Sequence, residues 1–337
     1  MPKIDPIILA IETSCDDTSA SVTKGRKLLS LKTISQSDHK DYGGVVPELA
    51  SRLHQQNIVS VVDSALKEAC ISQEGLNSIA FTRGPGLLGS LLVGTCFAKS
   101  MALALGLPLI EVNHLQAHVM SLFVDGDNDP KFPFLCLLVS GGNTMLIKVT
   151  DSLTMEVIGE TLDDAIGEAF DKACKLMNLS YPGGPIIDKF AKRGRAIFDF
   201  PEPKVPDLNF SFSGIKTFLY YFLKKGIRKD LYFIDNEIFN ICASYQAALV
   251  RIVINKLKAA IELTNITNIG VVGGVSANSL LRSELEDLAY KYNLVLSIPN
   301  LEYFTDNAAM VAVTAYFKYM NTQFIDPSVS PIANYTN

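Results

Sequence analysis

The sequence contains no Cys-x-x-Cys pair; its six cysteines, at positions 15, 70, 96, 136, 174 and 242, are scattered singly. In a chain of 337 residues with no export signal, reduced thiols are expected rather than a disulfide framework. The first ten residues hold one lysine, two prolines and Asp5, with no signal-peptide core behind them, so the protein is expected to stay in the cytoplasm. Long uninterrupted apolar runs are missing too. Mean hydropathy is slightly positive at +0.22, but the longest candidate, 87–108, is broken by glycines and by Ser90, Thr95, Lys99 and Ser100. It reads as a buried amphipathic helix rather than a span of about 20 apolar residues, and no membrane partner is expected. Basic charge is not in excess: 30 Lys and Arg face 35 Asp and Glu, a formal net charge of −5. Phosphate neutralisation needs clustered cations, so any RNA contact must use a local patch or a partner protein.

What is present is the composition of a compact globular protein, 48% hydrophobic and 19% charged, long enough for two domains. Short β-branched runs alternate with long amphipathic segments, which predicts an α/β architecture. Strands are expected at 7–12, 19–24, 78–82, 107–112, 134–140, 144–149 and 269–272. Helices are expected at 46–70, from about 87, around His114 and His118, and at 163–177, 185–193, 214–225, 237–263, 276–290 and 305–320. Two strand–polar turn–strand units, at 7–24 and 134–149, predict a duplicated lobe with a ligand held between the copies. The polar segment 125–130 is the expected boundary, dividing an N-terminal lobe, 1–128, from a C-terminal lobe, 129–337. The final helix, from about 305, could return to pack on the first lobe.

His114 and His118 stand one helical turn apart, a spacing that lets two imidazoles hold one transition metal or simply share a solvated face. A zincin protease is excluded on chemistry. Its His-Glu-x-x-His signature uses the Glu as general base, and here Leu115, Gln116 and Ala117 intervene. Three glycine turns are expected directly after strands: Ser140-Gly141-Gly142-Asn143, Tyr181-Pro182-Gly183-Gly184-Pro185 and Gly273-Gly274-Val275-Ser276-Ala277-Asn278. Without side chains, backbone N–H groups can approach phosphate or ribose, although plain hairpins and caps use the same residues. None of the three fits the P-loop or the dinucleotide fingerprint. Acidic candidates are Glu12 and Asp16 after the first strand, Asp163, Asp164, Glu168 and Asp171 along one helix, and Asp306, which could equally be a helix cap. Basic clusters occur at Lys192-Arg193-Arg195 and at Lys224-Lys225-Arg228-Lys229, the second beside Tyr220, Tyr221 and Phe222. Such a cluster can track RNA or merely solvate a helix end.

Read together, these residues resemble the tRNA threonylcarbamoyl-adenosine transferase family, long described as glycoproteases. Ile11-Glu12-Thr13-Ser14-Cys15-Asp16-Asp17-Thr18 resembles its opening motif. Tyr42 to His54, Gly84-Pro85-Gly86-Leu87-Leu88-Gly89, the histidine pair and Val139-Ser140-Gly141-Gly142 follow in order. Asp163 to Lys172, Tyr181 to Pro185, Phe210 to Thr217, Gly273 to Asn278 and Thr305-Asp306-Asn307 complete the match. Two departures stand out: Asn143 where the family usually has His, and Gln116-Ala117 where it usually has Glu-Gly.

The resemblance implies a two-lobed actin/sugar-kinase/Hsp70-like fold around a nucleotide cleft. It implies Asp306 as a third metal ligand beside His114 and His118, a set that suits one iron or zinc ion per subunit. Leu138, Val139, Ser140, Gly141, Gly142, Asp171, Gly184, Asp188 and Asn278 are the implied adenylate-binding residues. The implied reaction moves threonylcarbamoyl from its adenylate to the N6 amine of adenosine 37 in tRNA. The amine proton must leave, and Glu12 and Asp16 are the candidate acceptors, between which the sequence does not choose. The implied partners are tRNA, a paralogous dimer partner and a small ATPase. A sugar kinase of the same fold and a non-catalytic nucleotide- or metal-binding scaffold are the rival readings.

Overall fold

The computed structural model describes residues 5–42, 44–126 and 129–335. Gly43, within one of the family-like motifs, and Asp127 and Asn128, within the expected linker, lie outside the described residues. The chain forms two compact units, residues 1–129 with 305–337 and residues 130–304.

The first unit is built on a five-stranded sheet. Its strands are β1 (Ile7–Glu12), β2 (Asp17–Lys24), β3 (Lys27–Ser35), β4 (Ser78–Gly84) and β5 (Leu109–Asn113), in the order β3-β2-β1-β4-β5. The first three are antiparallel neighbours, and β4 and β5 run parallel to β1. Parallel connections need crossovers, supplied by α1 (Pro47–Ala69) and α2 (Leu88–Leu105), while the seven-residue α3 (His114–Met120) leaves β5 directly. Strand periodicity divides β1 between two cores. Leu9 and Ile11 face Ile58, Val61 and Ala98 of α1 and α2, whereas Ile8 and Ala10 face the C-terminal helix, Ala308–Met320. Ala308, Ala312 and Ala315 leave that helix small enough to lie close on the sheet.

The second unit repeats the plan. Its strands are β6 (Phe134–Val139), β7 (Thr144–Asp151), β8 (Thr154–Glu160), β9 (Asn268–Val272) and β10 (Val295–Ser297), in the order β10-β9-β6-β7-β8. Strand for strand, the hydrogen-bonded neighbours match those of the first sheet, as the duplicated strand–turn–strand pattern predicts. Its helices are α4 (Ile166–Leu176), α5 (Gly183–Ala191), α6 (Ser213–Lys229), α7 (Phe233–Thr264) and α8 (Ser279–Tyr292). Among the described residues two helices, α2 and α7, are long and apolar enough to cross a membrane by length and composition. In α7 the apolar side chains of Ile241, Leu249, Val253 and Leu257 enter the core of this unit, which accounts for its hydropathy.

Candidate functional site

In the first unit, Asn113 ends β5 and caps α3. Its side-chain oxygen accepts from the N–H groups of Leu115 (2.9 Å) and Gln116 (3.1 Å). The cap makes His114 the first helical residue and sets His118 one turn later on the same face. Both are buried, at 7% and 2% exposure, so they are not a solvated surface pair. Asp306 arrives from the start of the C-terminal helix. The cap there is Asn307, whose side chain accepts from the Met310 N–H at 3.1 Å. Asp306, left out of the capping, places Oδ1 3.1 Å from His118 Nε2 and 3.5 Å from His114 Nε2, and the two Nε2 atoms are 3.2 Å apart.

That triangle is a test of metal binding. A tetrahedral ion with bonds of about 2.0–2.1 Å holds its ligands roughly 3.3 Å from one another. The three donor atoms therefore already form one face of a coordination shell, and two imidazoles with one carboxylate suit iron or zinc. The residues fit the ion that the family resemblance implies.

Glu12 supports this face from behind. Strand alternation puts it on the same side of β1 as Ile8 and Ala10, towards α3 and the C-terminal helix. It is fully buried; Oε1 accepts from the Ser14 N–H (2.5 Å), Oε2 from the Thr82 hydroxyl (2.5 Å), and Oε2 stands 3.2 Å from His114 Nδ1. The Ser14 hydroxyl is also 3.2 Å from Nδ1. A carboxylate on Nδ1 fixes the ring and leaves Nε2 for an ion. His118 Nδ1 has no hydrogen-bond partner among the described residues. The other two histidines are satisfied structurally, His54 by Thr18 and the Cys15 carbonyl, His39 by Gln36.

Charge in this pocket is unbalanced without a cation. Burial depresses the His114 pKa, but the Asp306 and Glu12 carboxylates outweigh it and lift it to about 9. Burial likewise pushes Asp306 and Glu12 upward, and the facing imidazoles nevertheless hold both below the usual carboxylate range. Asp17 goes the other way: burial, helped by Asp306, Asp16 and Glu12 and opposed by a hydrogen bond with Ser35, pushes it up to about 7. A bound cation relieves such crowding of carboxylates. Cys15 is no nucleophile, because burial and then Asp16 push its thiol well above the ordinary range. All six cysteines are free thiols.

In the second unit, the Ser140–Asn143 turn joins β6 to β7, with the Ser140 N–H on the Asn143 carbonyl (2.9 Å) and the Asn143 N–H on the Ser140 hydroxyl (3.1 Å). Leu138 and Val139 bury their side chains completely, so only their backbone can meet a ligand. Two neighbouring glycines are demanded by packing: a Cβ on Gly273, at φ +92°, would strike the Val139 carbonyl, and one on Gly167 would lie 2.5 Å from the Ser140 carbonyl oxygen. Gly141, Gly142, Gly184 and Gly274 differ. A Cβ there meets nothing within 4 Å, and none has a positive φ. The fold does not require glycine at these four positions.

Two expectations about element placement are corrected here, for the Tyr181–Pro185 turn and for Asp163 and Asp164. The turn at Tyr181–Pro185 follows α4 rather than a strand, and its Gly183 N–H is tied to Asp171 Oδ1 at 2.6 Å. Burial foremost pushes the Asp171 pKa up. Asp188 accepts from the Ser279 hydroxyl (2.6 Å) and pairs with Lys192 (2.9 Å). Asn278 caps α8 through Leu281 and donates to Gln246 at 2.9 Å, so its side chain braces the glycine turn from below. Asp163 and Asp164 precede α4, which starts only at Ile166. Asp163 accepts from the Phe212 and Ser213 N–H groups at the start of α6, and Asp164 pairs with Lys172 and Lys216.

A sequence profile of the family described as tRNA N6-adenosine threonylcarbamoyltransferase (TsaD) matches residues 27–313. The tRNA N6-adenosine threonylcarbamoyltransferase of Christiangramia forsetii is 52% identical over 331 residues, 97% of each chain. Among solved structures, full-length HypF in a phosphate- and nucleotide-bound form matches with a TM-score of 0.64 at 13% identity, covering 96% of this chain and 48% of its own. The ROK hexokinase of Thermus thermophilus matches with a TM-score of 0.51 at 14% identity, covering 94% and 99%. At such low identity these structures establish the fold alone, an α/β fold of the actin-like, sugar-kinase type. Identity of about one half along nearly the whole chain establishes more: the chain belongs to the tRNA N6-adenosine threonylcarbamoyltransferase family and is a transferase that acts on tRNA.

Proposed function

We propose that the protein transfers the threonylcarbamoyl group of threonylcarbamoyl-AMP to the N6 amine of adenosine 37 in tRNAs that read codons beginning with adenine. The observation that carries this reading is the triangle of His114 Nε2, His118 Nε2 and Asp306 Oδ1, in a chain half identical to such transferases. A divalent iron or zinc ion held there would supply Lewis acidity to an oxygen of the carbamic–phosphoric anhydride. The rest falls to the chain itself. Gly141, Gly142 and Gly184 leave backbone N–H groups open to the AMP phosphate and ribose, with Asp171 bracing the turn that carries Gly184 and Asp188 and Asn278 holding the start of α8. The amine nitrogen bonds to the carbamoyl carbon, the carbon–oxygen bond to phosphate breaks, and AMP departs. The amine proton goes to a carboxylate. Asp16, which is partly exposed, suits that task better than Glu12, whose oxygens are buried and committed to Ser14, Thr82 and His114. Holding both reactants by their nucleotide parts supplies much of the rate.

A paralogous dimer partner and a small ATPase belong to this proposal, as does a cytoplasmic location, where tRNA is available. An outward apolar strip favours a protein partner: Leu88, Leu92 and Leu103 of α2 and Val59 of α1 are 43–67% exposed on helices that pack side by side. The deciding experiment supplies preformed adenylate and tRNA to the chain with those partners and reads the modified nucleoside by mass spectrometry. Asp306→Ala, stripped of metal, is expected to lose transfer. Full activity in that variant overturns the mechanism.

A further inference from the structure

The second unit carries a groove of about 630 Å³ that the adenylate site does not use, lined by Leu176, Tyr220, Lys224, Ile227, Arg228 and Leu231. We propose that this groove, at the C-terminal end of α6, is a docking surface for the tRNA backbone and for unstacked bases of its single-stranded loop. The proposal rests on the transferase reading above and adds a place where the RNA is held.

Charge is the first argument. Lys224, Lys225, Arg228 and Lys229 put four cations within six residues of a chain whose net charge is −5. All four are exposed, and none forms an ion pair among the described residues. The negative end of a helix dipole accounts for Arg228 and Lys229 in the last turn of α6. It does not account for the apolar groups interleaved with them. Tyr220, Tyr221 and Tyr232 are 44%, 63% and 68% exposed, and Leu231 is 82% exposed. Flat exposed rings beside cations are what single-stranded RNA recognises, by stacking on the rings and phosphate neutralisation between them. The turn that presents them is fixed, since the Asp230 carboxylate accepts from the Tyr232 N–H (2.9 Å) and the Asn236 side chain (3.0 Å).

Position is the second argument. Helix α4 begins against the Ser140–Gly141 turn, where Gly167 packs on the Ser140 carbonyl, and ends at Leu176 in the wall of the groove. Its 11 residues span about 16 Å at the α-helical rise. One RNA stem-loop, with a duplex roughly 20 Å across, can therefore touch the groove while one of its bases lies near the adenylate turn.

The test compares two charge-matched double variants of the full chain, Lys224→Ala/Arg228→Ala in the groove and Lys258→Ala/Lys291→Ala elsewhere on the second unit. Binding of unmodified tRNA is measured against salt, transfer kinetics are measured with the partner proteins, and thermal melts confirm folding. For the groove variant the slope of log affinity on log salt is expected to fall by about 2, one per lost phosphate contact. Its KM for tRNA is expected to rise roughly tenfold or more, with kcat at saturating tRNA retained. Tyr221→Ser should weaken tRNA binding without changing the slope. If the groove variant matches the control in slope and KM while the wild-type chain modifies tRNA normally, the surface assignment is wrong. It is equally wrong if the variant loses affinity only for anionic phospholipid vesicles, or only for a partner protein. A wild-type chain that binds tRNA with the expected slope difference but modifies no nucleoside would sink the reaction and spare the surface.

Discussion

Replacing Glu12 by Gln isolates what the buried carboxylate does for the metal centre. The volume is nearly unchanged, and one amide oxygen can still accept from the Ser14 N–H. The NH2 group then occupies the place of Oε2, facing the Thr82 hydroxyl and His114 Nδ1 as a donor where an acceptor stood. A donor there drives the imidazole proton to Nε2, the atom that closes the triangle with His118 and Asp306. Flipping the amide only moves the mismatch to Ser14. Loss of a partner behind a metal-bound imidazole weakens affinity about 10- to 100-fold, or about 1.4–2.7 kcal/mol. Competition for zinc against a chelator of known affinity reads this directly, with circular dichroism reporting the fold. On the proposal that Glu12 orients His114 and Asp16 takes the amine proton, saturating metal should restore transfer to the variant. Zinc affinity within twofold of wild type would refute the positioning role; activity still absent at saturating metal would make Glu12 the proton acceptor after all.

Further outcomes follow from the same geometry. In the metal-free chain His114 keeps its proton up to about pH 9, so loading must expel it; affinity should rise about tenfold per pH unit to that point and then level. The stability of the metal-free chain runs oppositely: the contribution of the raised pKa is complete below the unfolded value of 6.5 and disappears as pH climbs through 9. Calorimetry in buffers of different ionisation enthalpy should register about one proton released at pH 7.5, and zero would contradict the assignment. Gly141→Ala should leave the melting temperature within a degree or two, because no protein atom lies within 4 Å of its methyl, and raise the KM for adenylate if the proposed substrate fills that space. Gly273→Ala should cost roughly 2–4 kcal/mol of stability through left-handed strain and the Val139 carbonyl; a reversal of the two results would mean the first glycine is structural.

What the sequence made legible was local, and what it hid was convergent. Ile7–Glu12 can be read because a buried strand prints apolar residues consecutively, Asp17–Lys24 shows only Ala20 and Val22 alternating with Ser and Thr, and the duplicated pattern predicts two sheets of the same connectivity. Strands β3, β8 and β10 escape such a reading for physical reasons. The first two are sheet edges with one wet face, and β10 has three residues, too short for any period. The histidine pair is visible because one helical turn joins its members. Asp306 is ambiguous from spacing, since Asp-Asn before an apolar run writes the same signature whichever residue caps. The hydrogen bond of Asn307 to Met310 shows that Asn307 is the cap and Asp306 is not.

Glu12 shows how far periodicity can go. A strand that alternates faces assigns Glu12 to the side of Ile8 and Ala10, and β4 assigns Thr82 to the side of Ala80, which faces the same C-terminal helix. A carboxylate at the end of that buried face cannot remain charged without a donor set. In the structure its partners are the Ser14 N–H, the Thr82 hydroxyl and the His114 imidazole that α3 brings to that face. The parity of β1 gives the side on which Glu12 lies, not its partners. Spacing alone hides the positioning role, because a carboxylate after a strand looks the same whether it meets substrate or braces a ligand, and only its depth separates the two.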